Sequence, residues 1–157
     1  MTILKDLKIG LVKTDQDKTD LRALHIICFD PVEHLYIEFS LRDVDCFSVL
    51  ARVKNKAVGY QVTYVNDKSA YSLWNGVTPS YRGNGLNYPI AEFAHIEARA
   101  RGAEIYGGCV AGNNAANLHA NKKMGFEIID SWPDSSIKDG KVIKFTNHYV
   151  QKSLIKE

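Results

Sequence analysis

Residues 77–87, VTPSYRGNGLN, place Gly83 and Gly85 one residue apart, directly after Arg82, with Pro79 three residues before the arginine. Glycines let backbone N–H groups come close to a ligand. A helix starting just beyond would add its unpaired donors and its dipole. Such a site suits a pyrophosphate. The same residues also suit a plain strand-to-helix turn, and the local pattern leaves both readings open. Two other phosphate motifs do not fit. Pro89 and Ile90 stand where the dinucleotide fingerprint needs its third glycine, and the P-loop lysine and hydroxyl are missing.

Few other residues have the types and spacing for chemistry. Cys28, Cys46 and Cys109 are an odd number without a C-x-x-C pair, which argues against a zinc site or a disulfide framework, and no metal is expected. Cys109, in GGCV, reads as a small buried residue, because no helix N-terminus or positioned histidine follows from the sequence to activate it. His95 and His119 lie in helical patterns as solvated or structural residues.

The elements that must position the glycine turn follow from periodicity. LKIGLVK (7–13) alternates as a strand, and 14–30 reads as a helix with Thr14, Asp15 or Asp17 as cap. Its apolar face would hold Leu21, Leu24 and Cys28, with Ala23 and Ile27. Pro31 opens a second short helix, PVEHLYIEFS. The period then changes to two: 46–53 and 57–65 form a hairpin with a bulge at Gly59, and 70–77 is the next strand. After the glycine turn, Ile90, Phe93, Ala94 and Ala98 mark a helix that Gly102 caps. A strand at 104–110, a helix at 113–125 and strands FEIIDSW and KVIKFTNHYV complete the chain, the last two joined by a polar loop, PDSSIKDG. No repeat or linker divides residues 1–157, so one α+β domain is expected.

Whole-chain properties narrow the classes of function. The 157 residues are 45% hydrophobic and 24% charged, ordinary for a soluble globular protein. A net charge of +2 with scattered lysines gives no footprint for nucleic acid or membrane. Lys5, Asp6 and Lys8 interrupt the opening residues, which do not read as a signal peptide, and no run of 18 apolar residues occurs. A cytoplasmic protein is expected, and a homodimer is compatible with all of this.

V-x-P-x-x-R-G-x-G-L followed by an amphipathic helix resembles the acetyl-CoA-binding segment of the GNAT N-acetyltransferase superfamily. That family's pattern is Q/R-x-x-G-x-G/A, met by Arg82, Gly85 and, imperfectly, Asn87. NNAANLHANKKMGF, at the right distance downstream, is similar to the family's asparagine-led helix ending in K-x-G-F. Asn114 matches its start, and Lys123, Gly125 and Phe126 its end. Two signatures at compatible spacing decide what one could not.

The resemblance implies a central, mixed, mostly antiparallel twisted sheet of about six to seven strands flanked by about four helices. A splayed strand pair would form a wedge for coenzyme A. It implies transfer of an acetyl group from acetyl-CoA directly to a primary amine of a small molecule, with an amino sugar or sugar nucleotide among the candidates. Gly76 and Val77 would bond the pantetheine arm. Arg82, Gly83, Asn84, Gly85, Leu86, Asn87 and Tyr88 would hold the pyrophosphate, and Asn114, Asn117 and Asn121 would line the arm. His148 becomes the base candidate, against a plain edge-strand histidine. Glu33, Tyr36 and Trp74 would line the acceptor pocket, though Glu33, Tyr36 and Glu38 equally suit a helix surface. Asn121 stands where the family often places a tyrosine that protonates the thiolate, and asparagine cannot donate that proton. A protein amine as acceptor, and a non-catalytic acyl-CoA-binding module, stay open alongside.

Overall fold

The computed structural model describes residues 3–155; the two residues at each end of the expected 1–157 domain lie outside the described residues. Strands β1 (Leu7–Leu11), β2 (Cys46–Val53), β3 (Lys56–Asn66), β4 (Ser69–Val77), β5 (Ile105–Ala111), β6 (Glu127–Lys138) and β7 (Lys141–Ser153) form one sheet. Its order is β1-β2-β3-β4-β5-β7-β6, and only the β4–β5 pairing is parallel. Helices α1 (Asp15–Cys28) and α2 (Tyr36–Arg42) cover one face of the sheet, and α3 (Asn87–Ala100) covers the other. The fourth helix, α4 (Ala115–Lys123), packs Leu118 and Met124 beside α3 on that second face.

Local chemistry sets most boundaries. Thr14 caps α1 through a full capping box, in which the Asp17 N–H donates to Thr14 Oγ1 and Asp17 Oδ2 accepts from the Thr14 N–H. Both later helices end in the same device. Gly102 and Gly125 take φ of +96° and +87°, and their N–H groups reach back to Arg99 and Lys122. The following residues, Ala103 and Phe126, donate to Ala98 and Asn121. The closing M-G-F of the asparagine-rich segment is thus a helix stop, with Phe126 driven into the core.

Four expectations need correction. The buried face of α1 is Leu21, Leu24 and His25, while Ile27 is 56% exposed and Ala23 is also exposed. Pro31 starts only a short 3-10 turn, Pro31–Glu33, before α2 begins at Tyr36. PDSSIKDG is no loop: β6 and β7 run through it to a two-residue turn at Asp139 and Gly140, both at positive φ. That Asp-Gly pair is itself a hairpin signal. Cys109 is exposed rather than buried.

Two bulges shape the middle of the sheet. Between β2 and β3 the register slips after Ala51↔Gly59, so Val58 is the extra residue beside the expected glycine. A Cβ on Gly59 would lie 2.8 Å from Ile90 Cδ1, so its absence lets α3 approach. The second bulge falls in β4, where Val62↔Trp74 is followed by Thr63↔Ser72 and Leu73 is extra. A bulge bends its strand and increases its twist. Beyond this one, β4 leaves β5. No helix among the described residues is long and apolar enough to cross a membrane.

Candidate functional site

The parallel β4–β5 ladder runs only from Ser69↔Ile105 to Ser72↔Gly108. Past that point β4 continues to Val77 and β5 to Ala111 without pairing, so a gap opens between them. A cavity fills this gap on the α3 face, lined by Ser72 and Asn75 of β4, Gly107–Val110 of β5, Asn87, Ile90 and His95 of α3, and Asn117 and Asn121 of α4.

The backbone on the β4 side of the gap is open. The Thr78 N–H donates to Val58 O on β3 at 2.9 Å. Directions alternate along an antiparallel ladder, so Gly76 also pairs toward β3 while Asn75 and Val77 turn their backbone groups to the gap. Of the two residues expected here, Val77 therefore has the right orientation and Gly76 does not. Gly76 serves packing instead: a Cβ there would fall 2.7 Å from Cys28 Sγ and 3.0 Å from Tyr60 Cε1.

Next in the chain comes the glycine turn. Gly83 and Gly85 take φ of +77° and +73°, where other L-residues are strained. Asn84 Nδ2 donates to the carbonyls of Tyr81 and Arg82 at 3.0 and 3.2 Å, holding the loop from within. Among the described residues, no backbone carbonyl accepts from the N–H groups of Gly83, Asn84, Gly85, Leu86 or Asn87. The first turn of α3 has no side-chain cap either. Consecutive free N–H donors at a helix N-terminus favour a nearby anion. Arg82 stands apart from it. Its Nε donates to Val77 O at 2.8 Å, turning the side chain back to the strand end. Leu86 is buried in the core, and Tyr88 is exposed at the start of the helix.

Three asparagines of the α4 segment have defined tasks. The Asn117 N–H donates to Asn114 Oδ1 at 3.2 Å, which makes Asn114 the N-cap. Asn121 Nδ2 donates to the Asn117 carbonyl and to Asn117 Oδ1 at 2.8 and 2.9 Å. The amide of Asn121 is thus oriented by its own helix, its N–H side is engaged, and its oxygen is left as an acceptor on the cavity wall.

The face toward α1 and α2 carries another group of side chains. The Tyr71 hydroxyl donates to Cys109 Sγ at 2.9 Å, and the Tyr71 ring stacks on Tyr149 with centroids 6.3 Å apart. Burial, with the Cys109 contact, pushes the Tyr71 phenol up, so it keeps its proton at neutral pH. Gly107 has no side chain because the Tyr149 hydroxyl lies over it. Trp74 meets His25 edge-on at 5.6 Å on this face. His25 is fully buried. Its Nε2–H donates to Glu33 O at 3.1 Å, so Nδ1 is the acceptor for the Tyr60 hydroxyl at 2.7 Å. Glu33 takes part through its backbone, and Tyr36 is half-exposed at the start of α2. Glu38 is paired with Arg22.

His148 is not in this group. It pairs across from Val110, shares that residue's face of the sheet with Val150, and meets Ser131 Oγ through Nδ1 at 2.7 Å. A base there would lie across the sheet from Trp74, so the expected role lacks its geometry. The sequence reading also missed Asn75, Tyr71, Tyr149 and His95. Asn75 alone had a signal, because it lies one strand period before Val77.

The chain matches no protein family model and no curated protein by sequence. Its structure does match solved ones. The ribosomal-protein-S18-alanine N-acetyltransferase of Escherichia coli superposes with a TM-score of 0.84 at 15% identity, over 96% of each chain. A GNAT-family acetyltransferase of Streptococcus pneumoniae gives 0.74 at 19%, over 94% of this chain and 99% of that one. The chain has the GNAT fold. An aminoglycoside 6'-N-acetyltransferase in complex with coenzyme A shares it, with a TM-score of 0.77 at 12% identity over 96% and 98% of the two chains. The seven strands and four helices agree with the architecture expected from the two motifs. So does the parting of β4 and β5 that defines the wedge of the GNAT fold here.

Proposed function

We propose that this protein is an acyl-CoA-dependent N-acyltransferase that acetylates a primary amine. One observation carries the reading: a turn of free N–H donors leads directly into a gap between two strands. The donors fit a pyrophosphate. The gap is lined by the outward backbone of Asn75 and the N–H of Val77, whose carbonyl is held by Arg82 Nε, and these groups fit the amides of a pantetheine arm. The coenzyme A held by one structural neighbour supports the same assignment.

When bound, acetyl-CoA supplies a thioester carbonyl open to attack by an amine. The chain's residues do the rest. Gly83–Asn87 would fix the anion, and the β4 edge would align the arm. A backbone N–H of β4 facing the carbonyl oxygen would stabilise charge that develops there. Asn121 would orient through its oxygen, and it has no proton to give. The Tyr71 hydroxyl, protonated and beside the last paired residues of β4 and β5, would be a proton donor for the departing thiolate.

The acceptor in this reading is a primary amine that enters from the face of Trp74, Tyr71 and Tyr149. A second reading, a polypeptide amine, has its own support. Leu35 and Phe39 are 74% and 72% exposed beside Tyr36, an apolar surface at the start of α2 that a polypeptide could cover. One structural neighbour also acts on a ribosomal protein. Thiol release from acetyl-CoA over a panel of amino sugars, polyamines and N-terminal peptides tests both readings. Binding of acetyl-CoA without turnover on any amine would favour a non-catalytic module.

A further inference from the structure

The cavity does not end where β4 and β5 begin to pair. It continues over Ser72 and Gly108, the last paired residues, to a floor that includes Gln61, Tyr106 and His95. Gly108 leaves room there, since a Cβ on it would meet only Ser72, at 3.5 and 3.8 Å. Most of the floor is internally satisfied. The buried Tyr106 hydroxyl accepts from Gln61 Nε2 at 2.6 Å and pairs with Thr63 Oγ1 at 2.5 Å.

His95 is the exception. It is 9% exposed, its ring lies edge-on to Tyr106 at 4.4 Å and beside Phe126 at 5.6 Å, and it borders the cavity. Among the described residues neither ring nitrogen has a hydrogen-bond partner, and neither is sealed from water, so both are left to solvent or to a ligand. Burial, aided by nearby Lys152, holds the imidazole neutral down to about pH 4. It therefore offers one N–H donor and one acceptor to the cavity, whose lining also reaches Asn87 at the start of α3.

We propose that this deep end is an acyl subsite, and that the protein accepts a short acyl-CoA, longer than acetyl and bearing a neutral oxygen, which His95 hydrogen-bonds. Hydroxyacyl and ketoacyl thioesters have that chemistry. A plain aliphatic chain would cover His95 without pairing it. A dicarboxylic acyl group would have to desolvate a carboxylate beside a neutral imidazole, where Lys152 Nζ already donates to the Met124 carbonyl at 2.9 Å. The transfer itself balances as for acetyl: the amine nitrogen bonds the acyl carbon, the carbon–sulfur bond breaks, and the amine proton ends on the thiol. The subsite rests on the acyl-CoA reading above.

Calorimetry without any amine tests it, using coenzyme A, acetyl-CoA, butyryl-CoA and 3-hydroxybutyryl-CoA. The hydroxylated thioester should bind about three- to tenfold tighter than butyryl-CoA, the worth of one neutral hydrogen bond. His95→Phe, which keeps the ring contacts, should erase that difference, and His95→Gln should retain it. Gly108→Ala, whose methyl fits the strand, should weaken both four-carbon thioesters relative to acetyl-CoA. Equal binding of the two four-carbon thioesters to the native protein, or a preference that survives in His95→Phe, overturns the subsite. Absence of binding by coenzyme A itself overturns the acyl-CoA reading instead.

Discussion

Arg82 Nε donates to the carbonyl of Val77 at 2.8 Å, tying the glycine turn back to the strand it leaves. An arginine beside two glycines suggests a cation for phosphate, and this bond gives it a different task. A glutamine Nε2 stands at the same reach along the side chain as an arginine Nε. That equivalence lets either side chain make this bond.

Arg82→Gln should therefore keep acetyl-CoA affinity within about threefold, whereas Arg82→Ala should lose about 1 kcal/mol, one neutral hydrogen bond. Titration calorimetry of both variants decides the matter. A tenfold or larger loss in the glutamine variant would assign the guanidinium to the phosphates.

Gly85 is held at φ +73°, with only Tyr88 Cδ2 within 4.0 Å of a Cβ. Alanine meets no obstacle there but takes on left-handed strain of about 1–2 kcal/mol. Gly85→Ala should lower the melting temperature and weaken acetyl-CoA modestly. Gly85→Glu has the same strain and adds a carboxylate among the free N–H donors, so binding should vanish in a protein that still folds. Affinity equal in the two variants would remove the pyrophosphate from this turn.

The glycine turn and the helix stop at Gly102 were legible because each is a local device: a left-handed glycine, a cap, a free helix N-terminus. What was not legible is relational. The bulge at Leu73 leaves no glycine or proline in SLWN, yet it decides where β4 parts from β5. His148 reads as a base along the chain, but strand pairing puts it on the face of Val110 and Val150. His25 interrupts an apolar helical pattern and is fully buried, because Tyr60 and the Glu33 carbonyl satisfy both its nitrogens. Those partners come from β3 and a turn, so the pattern of α1 alone pointed to Ile27.

Asn114 is a cap by geometry, with Oδ1 3.2 Å from the Asn117 nitrogen. Asn114→Ala should cost about 1 kcal/mol of stability in urea denaturation, and Asn114→Asp, which keeps the acceptor, should cost little. Acetyl-CoA affinity measured well below the melting temperature should be unchanged in both. A weaker affinity in Asn114→Asp, at native stability, would show that this residue touches the ligand.

Burial lowers the pKa of both His25 and His95, the latter to about 4 from an unfolded value of 6.5. The folded state then binds fewer protons than the unfolded chain between those values. Stability is complete above about pH 6.5 and falls as pH drops toward 4, by an amount on the order of a few kcal/mol. Lys152 adds like charge near a protonated His95, and the Tyr106 and Phe126 rings offer it no counter-charge. Denaturant midpoints from pH 7.5 to 4.5 should decline in the native protein and decline less steeply in His95→Phe, where His25 alone remains. Equal slopes in the two proteins would show that His95 is already solvated when folded.

Asn121 tests how the leaving thiolate gets its proton. Its Nδ2 is engaged by the Asn117 carbonyl and Oδ1 at 2.8 and 2.9 Å, and an amide has no proton to transfer at neutral pH. Asn121→Ala should therefore reduce kcat/KM by only about 1 kcal/mol, one lost neutral hydrogen bond. Removal of a general acid typically costs on the order of a hundredfold or more. Tyr71, protonated and donating to Cys109 Sγ at 2.9 Å, is a hydroxyl that this chain can offer instead. Tyr71→Phe should then show the larger loss in kcat, with acetyl-CoA affinity kept. A loss of several hundredfold in Asn121→Ala, with Tyr71→Phe near native, would reverse these two roles.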